Sequence, residues 1–138
     1  MASNEEVSAA RPARSRYEFV LDQYAIGLSV VLMLFGLRQW AIILGIVAGG
    51  GGSFEQMTTA WKIATMHMAV VDLVAAVGLW MRVAWGKVIW VYAALAEIAF
   101  HTVFIATFGG NLPLVAFHVF TLLVFLLLTL LARRAAPA

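Results

Sequence analysis

Residues 61–80 read WKIATMHMAVVDLVAAVGLW. After Lys62 the only ionisable side chains in this run are His67 and Asp72. As a helix rising ~1.5 Å per residue, a run of this length spans about 30 Å, the thickness of a bilayer's hydrocarbon core. The apolar residues are continuous rather than alternating, so the run is not a barrel strand. A helix is the remaining way to satisfy every backbone group in lipid.

Three further runs have the same character. One extends from about Tyr24 to Val47, one from about Val88 to Phe108, and one from about Leu112 to Leu131. The sequence therefore predicts an all-α fold, a four-helix transmembrane bundle over residues 17–132 with spans at about 24–47, 61–80, 88–108 and 112–131. Gly49–Ser53, Arg82–Lys87 and Gly109–Pro113 punctuate the spans, with Pro113 suited to a first helical turn. Links this short make neighbouring helices antiparallel. In the first span, Arg38-Gln39 either lies within one continuous helix, the preferred reading, or ends the crossing and leaves Trp40–Val47 interfacial or re-entrant.

Composition agrees. Of 138 residues, 64% are hydrophobic and 12% charged, about half the charge of an average soluble chain. There is no cysteine, which excludes disulfides, thiolate metal sites, iron–sulfur clusters and C-x-x-C-H haem attachment. Gly49-Gly50-Gly51-Gly52 lacks the Lys-Ser/Thr of a phosphate loop and reads as a flexible connector. The nine Lys and Arg form no continuous basic stripe, so a net charge of +2 does not point to nucleic acid.

Those cations report topology instead. Arg11, Arg14 and Arg16 precede the first span, Arg82 and Lys87 separate the second and third, and Arg133 and Arg134 follow the fourth. The opposite loops hold only Lys62 and Glu55. Both termini are expected in the cytoplasm, with residues 1–16 a disordered tail and 133–138 a second short tail. Tyr17, Tyr24, Trp80, Trp85 and Trp90 fit an inner aromatic belt, and Trp61 an outer one.

Six ionisable residues fall inside the spans: Arg38, His67, Asp72, Glu97, His101 and His118. Such groups are costly in lipid and usually face the bundle interior in pairs. Counting along each helix puts Asp72 and Glu97 about 16 Å from the outer face and the other four roughly 9–12 Å from it. All six thus occupy the outer half or the midplane. Glu97 and His101 stand four apart on one helix face, whereas His67 and Asp72 are about 140° apart around theirs. Arg38 is expected as the central cation, pairing with Asp72 or Glu97.

Three readings of this set compete. It is a structural polar network fixing helix register, a ligand or proton site opening outward, or a metal or b-type haem site on His67, His101 and His118. The first suits a non-enzymatic accessory or interaction subunit, because a chain with little mass outside the membrane offers mainly helix faces to another membrane protein or to a second copy. The others suit a haem- or metal-binding redox protein, or a proton or small-molecule transporter. The first reading requires no cofactor.

The stretch Val71-Asp72-Leu73-Val74-Ala75-Ala76-Val77-Gly78-Leu79-Trp80, with Trp85-Gly86 and Ala94-Leu95-Ala96-Glu97-Ile98, resembles a bacterial family of small four-span proteins known only as a domain of unknown function. The resemblance covers nearly the whole chain after about Tyr17 and implies the inner membrane. More distantly, the layout is similar to DoxX-like membrane proteins, which carry a basic residue late in the first span (here Arg38) and an acid in a later one. Neither resemblance supplies a substrate, cofactor or catalytic residue.

Overall fold

Ser15 opens the first helix. In the computed structural model, which describes residues 14–136, the Ser15 hydroxyl accepts from the Glu18 amide, and the Glu18 carboxylate accepts from the Ser15 amide at 2.9 Å. This reciprocal capping box satisfies two of the orphan donors at a helix start. Helix α1 then runs Arg16–Ile43. Residues 1–13 and 137–138 of the two expected tails lie outside the described residues. Ser15 is the cap and Arg16 the first residue of α1.

Helix α1 passes straight through Arg38-Gln39, but it stops short of Val47. Gly45 has φ +73°, its amide donates to the Ile42 carbonyl at 3.0 Å, and the Ile46 amide donates to the Ala41 carbonyl at 2.8 Å. This pair of bonds around a left-handed residue is a Schellman ending, and glycine accepts that conformation without steric cost. The connector 44–58 follows. It is packed rather than loose: Gly49 and Gly52 bond each other through both amides, and Gly50 and Gly51 lie against the Trp61 ring so closely that a methyl at either would overlap it. A 3-10 turn occupies Phe54–Gln56.

Helix α2, Thr59–Trp80, starts at a Thr58 cap. It closes with Arg82 in the left-handed region (φ 57°) and turns into α3, Ala84–His101. The turn brings Gly78 and Gly86 into direct backbone contact, so a methyl at Gly86 would fall on the Gly78 backbone. At the same end Asp22 receives Arg14 at 2.8 Å and Arg82 at 3.9 Å.

The expected third span, 88–108, is not one helix. Thr102 leaves helical geometry (φ −122°, ψ −66°), its hydroxyl donates to the Ile98 carbonyl at 2.6 Å, and the Phe104 amide reaches back to Ala99. A hydroxyl bonded to the i−4 carbonyl competes with the backbone ladder. A single turn, α4 (Ile105–Phe108), ends at Gly109 with φ +73°. Helix α5 runs Leu112–Ala135, capped by the Asn111 side chain, with Pro113 in its first turn. Arg133 and Arg134 lie in its last turn.

The described residues thus form an all-helical fold. Helices α1, α2 and α5 are long and apolar enough to cross a membrane, whereas α3 does not qualify by the same measure. Helix α3 carries Lys87, Glu97 and His101 within its length. The four long helices close a ring in the order α1, α2, α3, α5, each packing on its two neighbours. Their apolar core lies toward the end bearing the α2–α3 turn: Ala25, Leu28 and Leu32 of α1 meet Ala75, Ala76 and Leu79 of α2 around Trp90 of α3. Trp90 is 1% exposed, edge-on to Phe125 at 5.2 Å and Tyr24 at 6.5 Å. Tyr24 also bonds the Thr121 carbonyl at 2.6 Å. Tyr24 and Trp90 are therefore core residues, whereas Trp80 and Trp85 lie on the outside.

Candidate functional site

At the opposite end, where the long connectors lie, the ring opens into a cavity of about 290 Å³. Every helix contributes to it. The last turns of α1 give Phe35, Arg38, Gln39 and Ile42, and the first turns of α2 give Trp61, Ala64, Thr65 and Met68. The end of α3 supplies Glu97, Phe100 and His101, α4 supplies Phe108, and the start of α5 supplies Asn111 and Leu114. Gly49 and Gly50 complete the wall. An aromatic layer stiffens it, with Trp61 edge-on to Phe108 at 5.1 Å and Phe108 tilted on Phe100 at 4.9 Å.

His101 ties two parts of this wall together. Its Nδ1 is 2.9 Å from the Gly109 carbonyl oxygen, which can only accept, so Nδ1 carries the proton. Its Nε2 faces the Glu97 carboxylate at 3.8 Å across one helical turn. The Glu97 side chain is 8% exposed. The same histidine thus anchors the α4–α5 link to α3 and partners the buried acid.

Arg38 lines the cavity together with this pair. It forms no ion pair with either expected carboxylate: among the described residues nothing anionic lies within 4.0 Å of it. The expectation of a central Arg38 bridge is thereby corrected. Arg38 is an exposed residue at the cavity, not a buried one at mid-bundle.

The other three ionisable residues lie elsewhere. Asp72 is 1% exposed, its Oδ2 has no hydrogen-bond partner among the described residues, and it does not line the cavity. His67 points into the α2–α3 seam, where Nε2 and the Tyr92 hydroxyl are 2.7 Å apart and Phe100 lies edge-on. His118 is 1% exposed and wedged between Phe35 and Phe117, both edge-on. Neither of its ring nitrogens has a partner among the described residues.

The three histidines therefore do not converge. Among the described residues no three of His, Asp and Glu form a group able to hold a metal. Depth placed the histidines at one height, but they point into a seam, a cavity and a packed core, so the three do not form one metal-ligand set among the described residues. Sequence reasoning passed over Trp61, Phe108, Gln39 and Asn111 as site residues. The signal for Asn111 was present, since it stands as a cap just before Pro113 at a chain reversal.

A family model described as a family of unknown function, DUF6163, matches residues 19–136. No curated protein and no solved structure matches the chain.

Proposed function

We propose a function from the site itself, because the family to which the chain belongs, DUF6163, is one of unknown function. In this reading the protein is a multi-pass component of the bacterial inner membrane with four crossings and both ends in the cytoplasm. Its cavity holds a small molecule from the outer side. It acts without catalysis, as a binding or accessory subunit beside another membrane protein or a second copy.

Several observations support the membrane setting. Leu34, Val70, Leu123 and Leu126 are all more than half exposed, a disposition that water penalises and lipid does not. Helix α3 is about 27 Å long at ~1.5 Å per residue, close to the thickness of a hydrocarbon core, which suits it as the fourth crossing. The basic residues Arg14, Arg82 and Arg133 flank the helix ends away from the cavity, as cytoplasmic ends require.

The cavity carries the binding reading. A purely structural network would close on itself, but here five helices, a glycine connector and an aromatic layer converge on open space at the lower end of the size range for ligand pockets. Ala64 sits on that wall and is 8% exposed. Filling the space from this position should remove binding while leaving the distant Trp90 core untouched. In a thermal-shift screen of small amphiphiles in non-ionic detergent, at least one compound should raise the Tm of the wild-type protein by several degrees and leave Ala64→Phe unmoved. Equal shifts in both proteins, or none in either, would contradict the reading.

A further inference from the structure

We infer that the cavity's ligand is a carboxylate with a small apolar body, its head group held by Arg38. The inference rests on the binding reading above and adds the ligand's chemistry.

Most polar groups on the cavity wall are already engaged. The Thr65 hydroxyl is directed at the Met57 sulfur at 3.8 Å, the Asn111 carbonyl oxygen caps the Leu114 amide, and His101 spans Gly109 and Glu97. Arg38 is different. Its guanidinium makes no hydrogen bond or ion pair among the described residues, and neither does the Gln39 amide beside it. The free capacity of the site is therefore largely donor capacity, concentrated in a planar fork of five N–H groups.

Such a fork matches two coplanar oxygens on one atom, and a carboxylate presents them. The Glu97 carboxylate does not already fill this role. It faces His101, not the guanidinium, and at 8% exposure it offers little of itself to the cavity. The remainder of the wall is apolar and aromatic: Phe35, Trp61, Phe100 and Phe108, with Ile42 and Leu114. An inorganic anion would leave this surface uncovered, whereas a ring or short chain behind the carboxylate would lie against it. About 290 Å³ admits a body of that size and excludes a whole phospholipid.

Benzoate, benzyl alcohol and acetate separate the contributions of head and body. In calorimetric titrations of the full chain in non-ionic detergent, benzoate should bind at least tenfold more tightly than benzyl alcohol, and acetate at least tenfold more weakly than benzoate. Arg38→Gln should bring benzoate down to the level of benzyl alcohol. Equal affinities for benzoate and benzyl alcohol in the wild-type protein would overturn the carboxylate assignment while leaving the cavity reading in place. If no probe binds, the assignment fails as well, and the Ala64→Phe comparison decides separately whether the cavity binds anything. Mass spectrometry of material released from purified protein distinguishes a soluble aromatic acid from a bilayer-derived fatty acid as the natural source.

Discussion

Gly86→Leu should prevent the bundle from forming. At this crossing the backbones of α2 and α3 touch, so a side chain on Gly86 meets main-chain atoms of Gly78 rather than a flexible neighbour. Ordinary overpacking costs about 1–3 kcal/mol because neighbouring side chains can shift. Here one of two helices must move bodily, and α2 is held on its other side by α1. In a bilayer the loss is felt more sharply, since helix association there depends on close van der Waals packing at small residues. The expected result is aggregation or loss of the monodisperse peak in detergent. Gly27→Leu, at a position with open space around it, serves as the control and should behave as wild type. A Gly86→Leu protein with wild-type Tm would show that the α2–α3 contact is wrongly described.

Trp90→Ala should produce the second-largest effect. Trp90 is among the largest fully buried side chains, and residues of α1, α2, α3 and α5 surround it. Truncating a buried Trp in soluble proteins costs about 3–5 kcal/mol, made up of lost transfer energy and an unfilled cavity. In lipid the transfer part shrinks, because acyl chains are as apolar as the core, while the cavity part remains. A loss of about 3 kcal/mol is therefore expected, read as a fall in Tm by thermal denaturation in detergent. Trp90→Phe should cost much less, since it keeps the ring and removes an indole N–H that has no partner among the described residues. Trp80→Ala, at a residue 60% exposed, should change stability little. Similar losses for Trp80→Ala and Trp90→Ala would contradict the placement of the core.

Much of this fold is legible in the sequence because lipid leaves few choices. Runs such as 61–80 and 112–131 must be helical, and both fall within two residues of helices in the structure, apart from the extra turn that carries α5 to Ala135. The i, i+4 spacing of Glu97 and His101 likewise fixes their meeting, since both sit on one face of a single helix. The misreadings share a cause. Counting residues gives height along a helix but not the direction a lone side chain points. His67, His101 and His118 have similar computed heights yet face a seam, a cavity and a core.

Arg38 shows the same gap. Its depth suggested a buried bridge, but its position on α1 places it at the rim of an opening that hydropathy does not reveal. The break after His101 was hidden because Thr102–Phe108 is as apolar as the helix before it. The signal lay in one hydroxyl bonding back to Ile98 and in Gly109 with its positive φ. Gly49–Gly52 read as a loose connector for want of any hint that Trp61 would pack on it.

The proposed binding site is a water-accessible cavity at membrane depth, open on the side opposite the cytoplasm. The chain contains no cysteine, so single cysteines can be introduced without background. The decisive measurement is labelling of Leu114→Cys by a small, membrane-impermeant thiol reagent, in right-side-out and in inverted membrane vesicles. Ala76→Cys in the apolar core serves as the buried reference. Leu114→Cys should react in right-side-out vesicles only, slow in the presence of a bound amphiphile, and Ala76→Cys should react in neither preparation. Labelling of Leu114→Cys from the cytoplasmic side alone, or protection from both sides equal to that of Ala76→Cys, would rule out a cavity open to the outer side.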